Sequence, residues 1–189
     1  MQAQVRVATA AAMRDLGRRL ASVLRAGDLV LLAGPLGAGK TTLVQGIGEG
    51  LEVRGPVTSP TFVIARVHPS LRGGPALVHA DAYRLASPAE VDDLDLDASL
   101  AGSVTVVEWG GGLAEGLAAD RLEITIGRAA GGGERAGAES DGQGSGPDPA
   151  EPAGAPDEPR TVRVTGVGSR WELAADSASM AIRGGPEGL

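Results

Sequence analysis

The chain has 189 residues, 42% of them apolar and 22% charged, enough for one ordinary hydrophobic core and too few for two full-sized domains. A formal net charge of −7 and four aromatic side chains in all argue against an extended nucleic-acid surface, which needs clustered cations and stacking platforms. The absence of cysteine excludes disulfides, zinc–thiolate sites and thiol catalysis, and two histidines make a histidine-rich metal centre a poor expectation.

The N-terminus, "MQAQVRVATAAAMRDLG", is broken by arginines and lacks the continuous apolar run of a signal peptide. Nowhere does the chain approach the ~18 apolar residues of a membrane span, so a cytoplasmic protein with no membrane partner is expected. "VRVA" (5–8) reads as a short strand. The following "AAAMRDLGRRLASVLRAG" places Met13, Leu16, Leu20, Val23 and Leu24 on one helical face, with Gly27 as its stop. "DLVLLAG" (28–34) is the near-continuous apolar run of a central, doubly buried strand. A glycine loop follows, then a helix through "KTTLVQGIGEGL" (40–51). "TFVIARVHP" (61–69) and "PALVHAD" (75–81) read as two strands joined by a turn at Gly73 and Gly74. "SPAEVDDL" opens a helix, with Ser87 as cap, Pro88 at the first position and Glu90 closing a capping box. "SVTVVEW" is a further apolar strand that ends at Glu108.

"RLEITI" (121–126) and "TVRVTGV" (161–167) alternate apolar and polar, as half-buried strands do. Between them, residues 128–160 hold eight glycines, five prolines and seven acidic residues against three arginines, the composition of a disordered segment. The expected arrangement is one hairpin with an enlarged loop, costing under ~2 kcal/mol in closure entropy relative to a tight turn. The domain plan is therefore a core over 1–127, the loop insertion over 128–160, and a final strand with a C-terminal tail over 161–189. Strand and helix in alternation predict an α/β three-layer domain with a mixed central sheet and antiparallel hairpins at one side.

The chemistry centres on "GPLGAGKTT". Gly34, Gly37, Gly39, Lys40 and Thr41 satisfy the phosphate-loop spacing GxxxxGK[ST], between an apolar strand and a helix, so the expected fold is P-loop NTPase-like. Glycines let successive N–H groups curl around phosphates, and the helix points its positive end at the same anion. Lys40, the single lysine among 17 basic residues, can reach the β- and γ-phosphates, and the Thr41 hydroxyl can ligate Mg²⁺. A compact ammonium suits such a cradle better than a broad guanidinium. Asp81 and Glu108 end two strands on the side where ligands bind in open α/β sheets, and either can hold Mg²⁺ or orient an attacking water. Arg84 is either a cationic stabiliser of transferring phosphate or a salt-bridge partner. His79 is read as a packed strand residue, with a catalytic role as the alternative. Trp109 either anchors a strand end or contacts nucleotide or partner. Thr58, Ser59 and Thr61 fall where a γ-phosphate-sensing switch segment often lies.

"GPLGAGKTT", "SPTFV", "HADAYRL" and "VVEW", in this order and at these separations, are similar to the TsaE family (formerly YjeE). That is the small bacterial ATPase needed for N6-threonylcarbamoyladenosine in tRNA. The resemblance implies ATP phosphates on Gly37, Ala38, Gly39, Lys40, Thr41 and Thr42, with Gly34 opening the loop. It implies Mg²⁺ on Thr41 and Glu108, a hydrolytic role for Asp81, and Trp109 within the functional set; Thr61, Tyr83 and Arg84 are candidate switch or partner contacts. It also implies a TsaD–TsaB complex as partner, with tRNA reached only indirectly. The segment around Thr9, which lies near the adenine in the family, is alanine-rich here. The rival readings are a small-molecule or nucleotide kinase, a GTPase and a non-hydrolysing scaffold. The long insertion is net acidic and a poor arginine-rich lid, a guanine-reading NKxD loop needs a second lysine, and Lys40, Thr41 and both acids are retained.

Overall fold

In the computed structural model, residues 1–60, 65–83, 85, 87–92, 96–128 and 158–184 are described. In chain order they form β1 (Gln2–Val7), α1 (Ala10–Ala21), β2 (Leu29–Ala33), α2 (Lys40–Gly50), β3 (Ala65–His68), β4 (Ala76–Asp81), α3 (Pro88–Asp92), α4 (Leu96–Leu100), β5 (Ser103–Glu108), a 3₁₀ turn (Glu115–Leu117), β6 (Arg121–Arg128), β7 (Arg160–Val167), α5 (Ser169–Leu173) and α6 (Ala175–Arg183). The strands make one sheet in the order β1-β7-β6-β2-β5-β4-β3.

Four neighbouring strands, β6, β2, β5 and β4, run parallel. Their centre is apolar on both faces: every residue of β5 is buried, as are the first four of β2. On one face Val30, Leu32, Leu77, Val106 and Ile124 pack beneath α1, α2 and α6. On the other, Leu29, Leu31, Val78 and Val107 meet Val91 of α3 and Leu96 of α4. This is the three-layer, mixed-sheet, P-loop NTPase-like α/β fold expected from sequence.

Antiparallel pairing takes up both sheet edges, however, where the sequence suggested one. β3 closes the β4 side, and the β6–β7 hairpin with β1 closes the other. β1 is also longer than "VRVA", because its pairing with β7 runs from Gln2↔Thr165 to Val7↔Arg160. α1 stops earlier than expected. Ser22 caps it through its hydroxyl on Arg19 O, 2.7 Å, so Val23 and Leu24 lie in the turn that carries the chain through Gly27 (φ 92°) into β2. Leu24 still buries, and Val23 is half-buried. Ser87 caps α3 as expected: its Oγ accepts from the Glu90 N–H at 3.4 Å, and its hydroxyl donates to Glu90 Oε1 at 3.5 Å.

The described part of the stretch read as a C-terminal tail, to residue 184, holds two helices. Trp171 of α5 and Ala178 and Ile182 of α6 are buried, and Arg19 Nε of α1 donates to Ala181 O, 2.9 Å. An apolar spacing of four, Ala178 to Ile182, lays α6 against α1 and β1. Residues 129–157, most of the sequence-defined insertion, lie outside the described residues. The strands at its two ends remain in register, Arg128 opposite Arg160, and Glu158 pairs with both arginines at 3.6 and 3.5 Å. Among the described residues no helix is long and apolar enough to cross a membrane.

Candidate nucleotide and metal site

β2 and α2 are joined by a loop whose backbone only glycine adopts without strain. Gly34, Gly37 and Gly39 have φ of 153°, 72° and 98°. Gly34 also has no room for a side chain, since a Cβ there would fall 2.5 Å from Ile126 O of β6. The result is a concave run of N–H groups leading into the first turn of α2, where those of Lys40, Thr41 and Thr42 have no upstream carbonyl within the helix to bond. Ala38 contributes differently from its neighbours: it is buried, and its N–H closes a turn on Pro35 O, 3.1 Å.

Lys40 is 6% exposed and folds back over the loop. Its Nζ donates to Gly34 O at 2.9 Å and Pro35 O at 3.2 Å and sits 4.2 Å from the centroid of the Trp109 ring. Burial pushes the ammonium below the ordinary lysine value, against the pull of Glu108 and Asp81. Trp109 thus sits between the loop lysine and the strand end. It is half-buried, follows β5 with a left-handed backbone (φ 60°), and its N–H donates to Leu32 O, 2.9 Å. Tyr83, 69% exposed, leans on it at 5.3 Å between ring centroids.

The parallel register places Asp81 of β4 beside Glu108 of β5, and Glu108 beside Leu32 of β2, so both acids reach the end of the sheet where the loop begins. Glu108 is 3% exposed and shares the α2 face with Val104 and Val106. Its Oε1 accepts from the Thr41 hydroxyl at 3.3 Å and from His79 Nε2 at 2.9 Å. Asp81 Oδ1 accepts the Tyr83 N–H at 3.0 Å. Burial raises the Asp81 carboxyl above its ordinary range, and Glu108 adds to this; the Tyr83 N–H, His79 and Lys40 oppose it.

One hydroxyl and two carboxylates are oxygen donors of the kind a hard divalent cation takes. Among the described residues no cluster of three or more His, Asp or Glu could hold a metal unaided. A hydroxyl and two carboxylates are a donor set of the kind Mg²⁺ takes together with substrate phosphates. The glycine loop beside them presents the N–H groups that an anion such as phosphate takes.

Of the remaining sequence candidates, Thr58 is exposed and accepts from Arg66 at 2.8 Å, Ser59 is half-buried, and Thr61 and Arg84 lie outside the described residues. Thr9 caps α1 through Ala12 N, 3.1 Å. Two contacts escaped the sequence reading. His79, read first as a packed strand residue with a catalytic role as the alternative, bonds Glu108, and its spacing of two from Asp81 was the available signal for that partner, since it puts both on one sheet face. Arg128 and Arg160 line a cleft with Pro35, Leu36, Gly37 and Ala38, which depends on β6 lying next to β2 and has no local signature.

A family model described as "Threonylcarbamoyl adenosine biosynthesis protein TsaE" matches residues 7–136. A Streptomyces coelicolor protein named tRNA threonylcarbamoyladenosine biosynthesis protein TsaE is 59% identical over 163 residues, covering 86% of this chain and 95% of the relative. The Bacillus subtilis protein of that name is 32% identical, covering 88% and 87%. Among solved structures, YdiB of Bacillus subtilis matches with a TM-score of 0.68 at 28% identity over 95% of both chains.

Proposed function

The chain belongs to the TsaE family of tRNA threonylcarbamoyladenosine biosynthesis, and from that premise we propose that it is a Mg²⁺-dependent ATPase acting in the cytoplasm on a TsaD–TsaB type complex. The observation that carries this reading is the 3.3 Å contact between the Thr41 hydroxyl and Glu108 at the mouth of the glycine loop, with Asp81 on the adjacent strand. It brings the phosphate loop and an acidic strand end into one site.

In this reading the loop N–H groups and Lys40 bind the β- and γ-phosphates, and Lys40 leaves the carbonyls of Gly34 and Pro35 to do so. Thr41 and Glu108 would hold Mg²⁺, which would supply neutralisation of phosphate charge. Asp81, on the adjacent strand, takes the proton of the attacking water as its oxygen bonds the γ-phosphorus and ADP departs. Its raised pKa suits a proton acceptor better than an ordinary carboxylate would. The acidic, aromatic-poor chain is suited to work on proteins that hold the tRNA.

The isolated protein is expected to hydrolyse ATP slowly, to be stimulated by TsaD and TsaB, and to lose hydrolysis on Glu108→Ala. Transfer of the γ-phosphate to a small acceptor would instead establish a P-loop kinase and end this reading.

A further inference from the structure

His79 has no role in the hydrolysis outlined above, yet it is fully buried beside the phosphate loop. Its Nε2 lies 2.9 Å from Glu108 Oε1. An ionised carboxylate only accepts, so the ring hydrogen sits on Nε2 and points at that oxygen. Nδ1, on the far side of the ring, is buried with no hydrogen-bond partner among the described residues. Leaving that nitrogen unpaired costs free energy that a leucine of similar volume would not incur. Packing alone therefore does not explain a histidine here.

The register explains how the ring reaches its target. His79 lies opposite Val106 on β5 and Asp81 lies opposite Glu108, so the ring spans diagonally to the carboxylate at the strand end. His79 and Thr41 approach the same oxygen, one from β4 and one from α2. Among the described residues, Oε1 is the only oxygen of this carboxylate that accepts a side-chain hydrogen bond.

We propose that His79 is a positioning residue whose Nε2–H holds the Glu108 carboxylate in one orientation toward Thr41, so that the metal meets a preorganised ligand. The proposal rests on the reading of the site as a MgATP site. It concerns how tightly the metal is taken up, since neither the loop N–H groups nor Lys40 touches His79 in forming the phosphate cradle. Partners of this kind, one bond removed from a ligand, typically contribute about 10-fold or more to metal affinity.

The test compares His79→Leu, which removes the donor at similar size, with His79→Gln, whose amide N–H can reach the place of Nε2. ADP binding is measured by calorimetry on the full chain, first in EDTA and then across a Mg²⁺ titration. Expected for His79→Leu are unchanged ADP affinity in EDTA and an approximately 10-fold higher Mg²⁺ requirement for tighter binding, with His79→Gln regaining most of the loss. A leucine variant with the wild-type Mg²⁺ requirement overturns the proposal, and so does a glutamine variant no better than leucine.

A second measurement does not depend on either variant folding. The chain has two histidines, so imidazole ¹⁵N–¹H spectra contain two rings. The His79 ring is expected to show a protected Nε2–H that shifts in Glu108→Gln; a buried ring without Nε2–H overturns the proposal. A wild-type chain that binds no nucleotide overturns the ATPase reading itself and with it any metal role for His79. That outcome is distinct from normal binding with an unaltered Mg²⁺ requirement, which removes the positioning role alone.

Discussion

Asp81 shows how the place the fold gives a single carboxyl makes its charge costly. Burial and the neighbouring Glu108 raise its pKa, while the one hydrogen bond its side chain accepts among the described residues, from the Tyr83 N–H, does not remove the cost. In the unfolded chain the group ionises near 3.8, and in the folded chain it ionises higher. Between those two values the unfolded state has fewer bound protons, so stability falls as pH rises, and the loss persists at neutral pH. Asp81→Asn keeps an oxygen to accept from Tyr83 and removes the charge. It is expected to unfold at higher urea concentration than wild type at pH 7, to lose that advantage below about pH 4, and to lose ATP hydrolysis. Equal midpoints at pH 7 would show that the buried charge is not costly. The strand-end position of Asp81 was legible in "PALVHAD", but the sign of its shift was not, because it depends first on burial by the surrounding elements and then on Glu108 arriving from β5. Trp109 is a parallel case: nothing in "VVEW" signals a left-handed backbone, and its place over Lys40 follows from that turn.

At the scale of elements, the phosphate loop is held by the closeness of two helices. α1 and α2 cross so tightly that a Cβ on Gly46 would collide with the Arg14 carbonyl and one on Gly17 with the Leu43 carbonyl. Met13 of α1, in turn, lies against Gly39 at the start of α2. Two opposing effects make Gly46→Ala informative. Helix propensity alone predicts a gain of about 1 kcal/mol, whereas overpacking against a backbone carbonyl costs about 1–3 kcal/mol. The close approach should win, because a carbonyl inside α1 cannot turn aside as a side-chain tip can. The variant is expected to be less stable than wild type in urea denaturation, with weaker nucleotide binding because α1 is pushed away from the loop; a stabilised variant would show that the helices separate freely. The helices themselves were legible from apolar spacing, and the central strands from their unbroken apolar runs. Their neighbours were not: the pairing of β6 with β2 decides that Ile126 closes on Gly34, the pairing of β4 with β5 decides that His79 finds Glu108, and the chain separates those partners by 92 and 29 residues.

The whole molecule poses the question of why a segment as long as 129–157 joins two strands that are already in register. Arg128 and Arg160 face each other across the β6–β7 ladder and share Glu158, so the hairpin is closed at its base by backbone pairing and two ion pairs. Those pairs are largely exposed on the Arg128 and Glu158 side and contribute little, about 0–1 kcal/mol each. The ladder therefore carries the closure, and by composition the segment adds loop entropy without apolar surface to bury. Replacing residues 130–157 with a short glycine-containing turn, while keeping Arg128, Glu158 and Arg160, removes about three doublings of loop length. At ~0.6 kcal/mol per doubling, a gain of roughly 1–2 kcal/mol is expected, read as a higher urea midpoint. The same variant tests whether the segment belongs to the site, since its two ends line a cleft with residues 35–38 of the phosphate loop. If the cleft acts only through the two arginines, ATP affinity and basal hydrolysis remain at the wild-type level, and only stimulation by TsaD and TsaB is open to change. A fall in nucleotide affinity with the arginines in place would mean that the segment itself reaches the phosphates, and the boundary of the ATPase core at residue 127 would have to be redrawn.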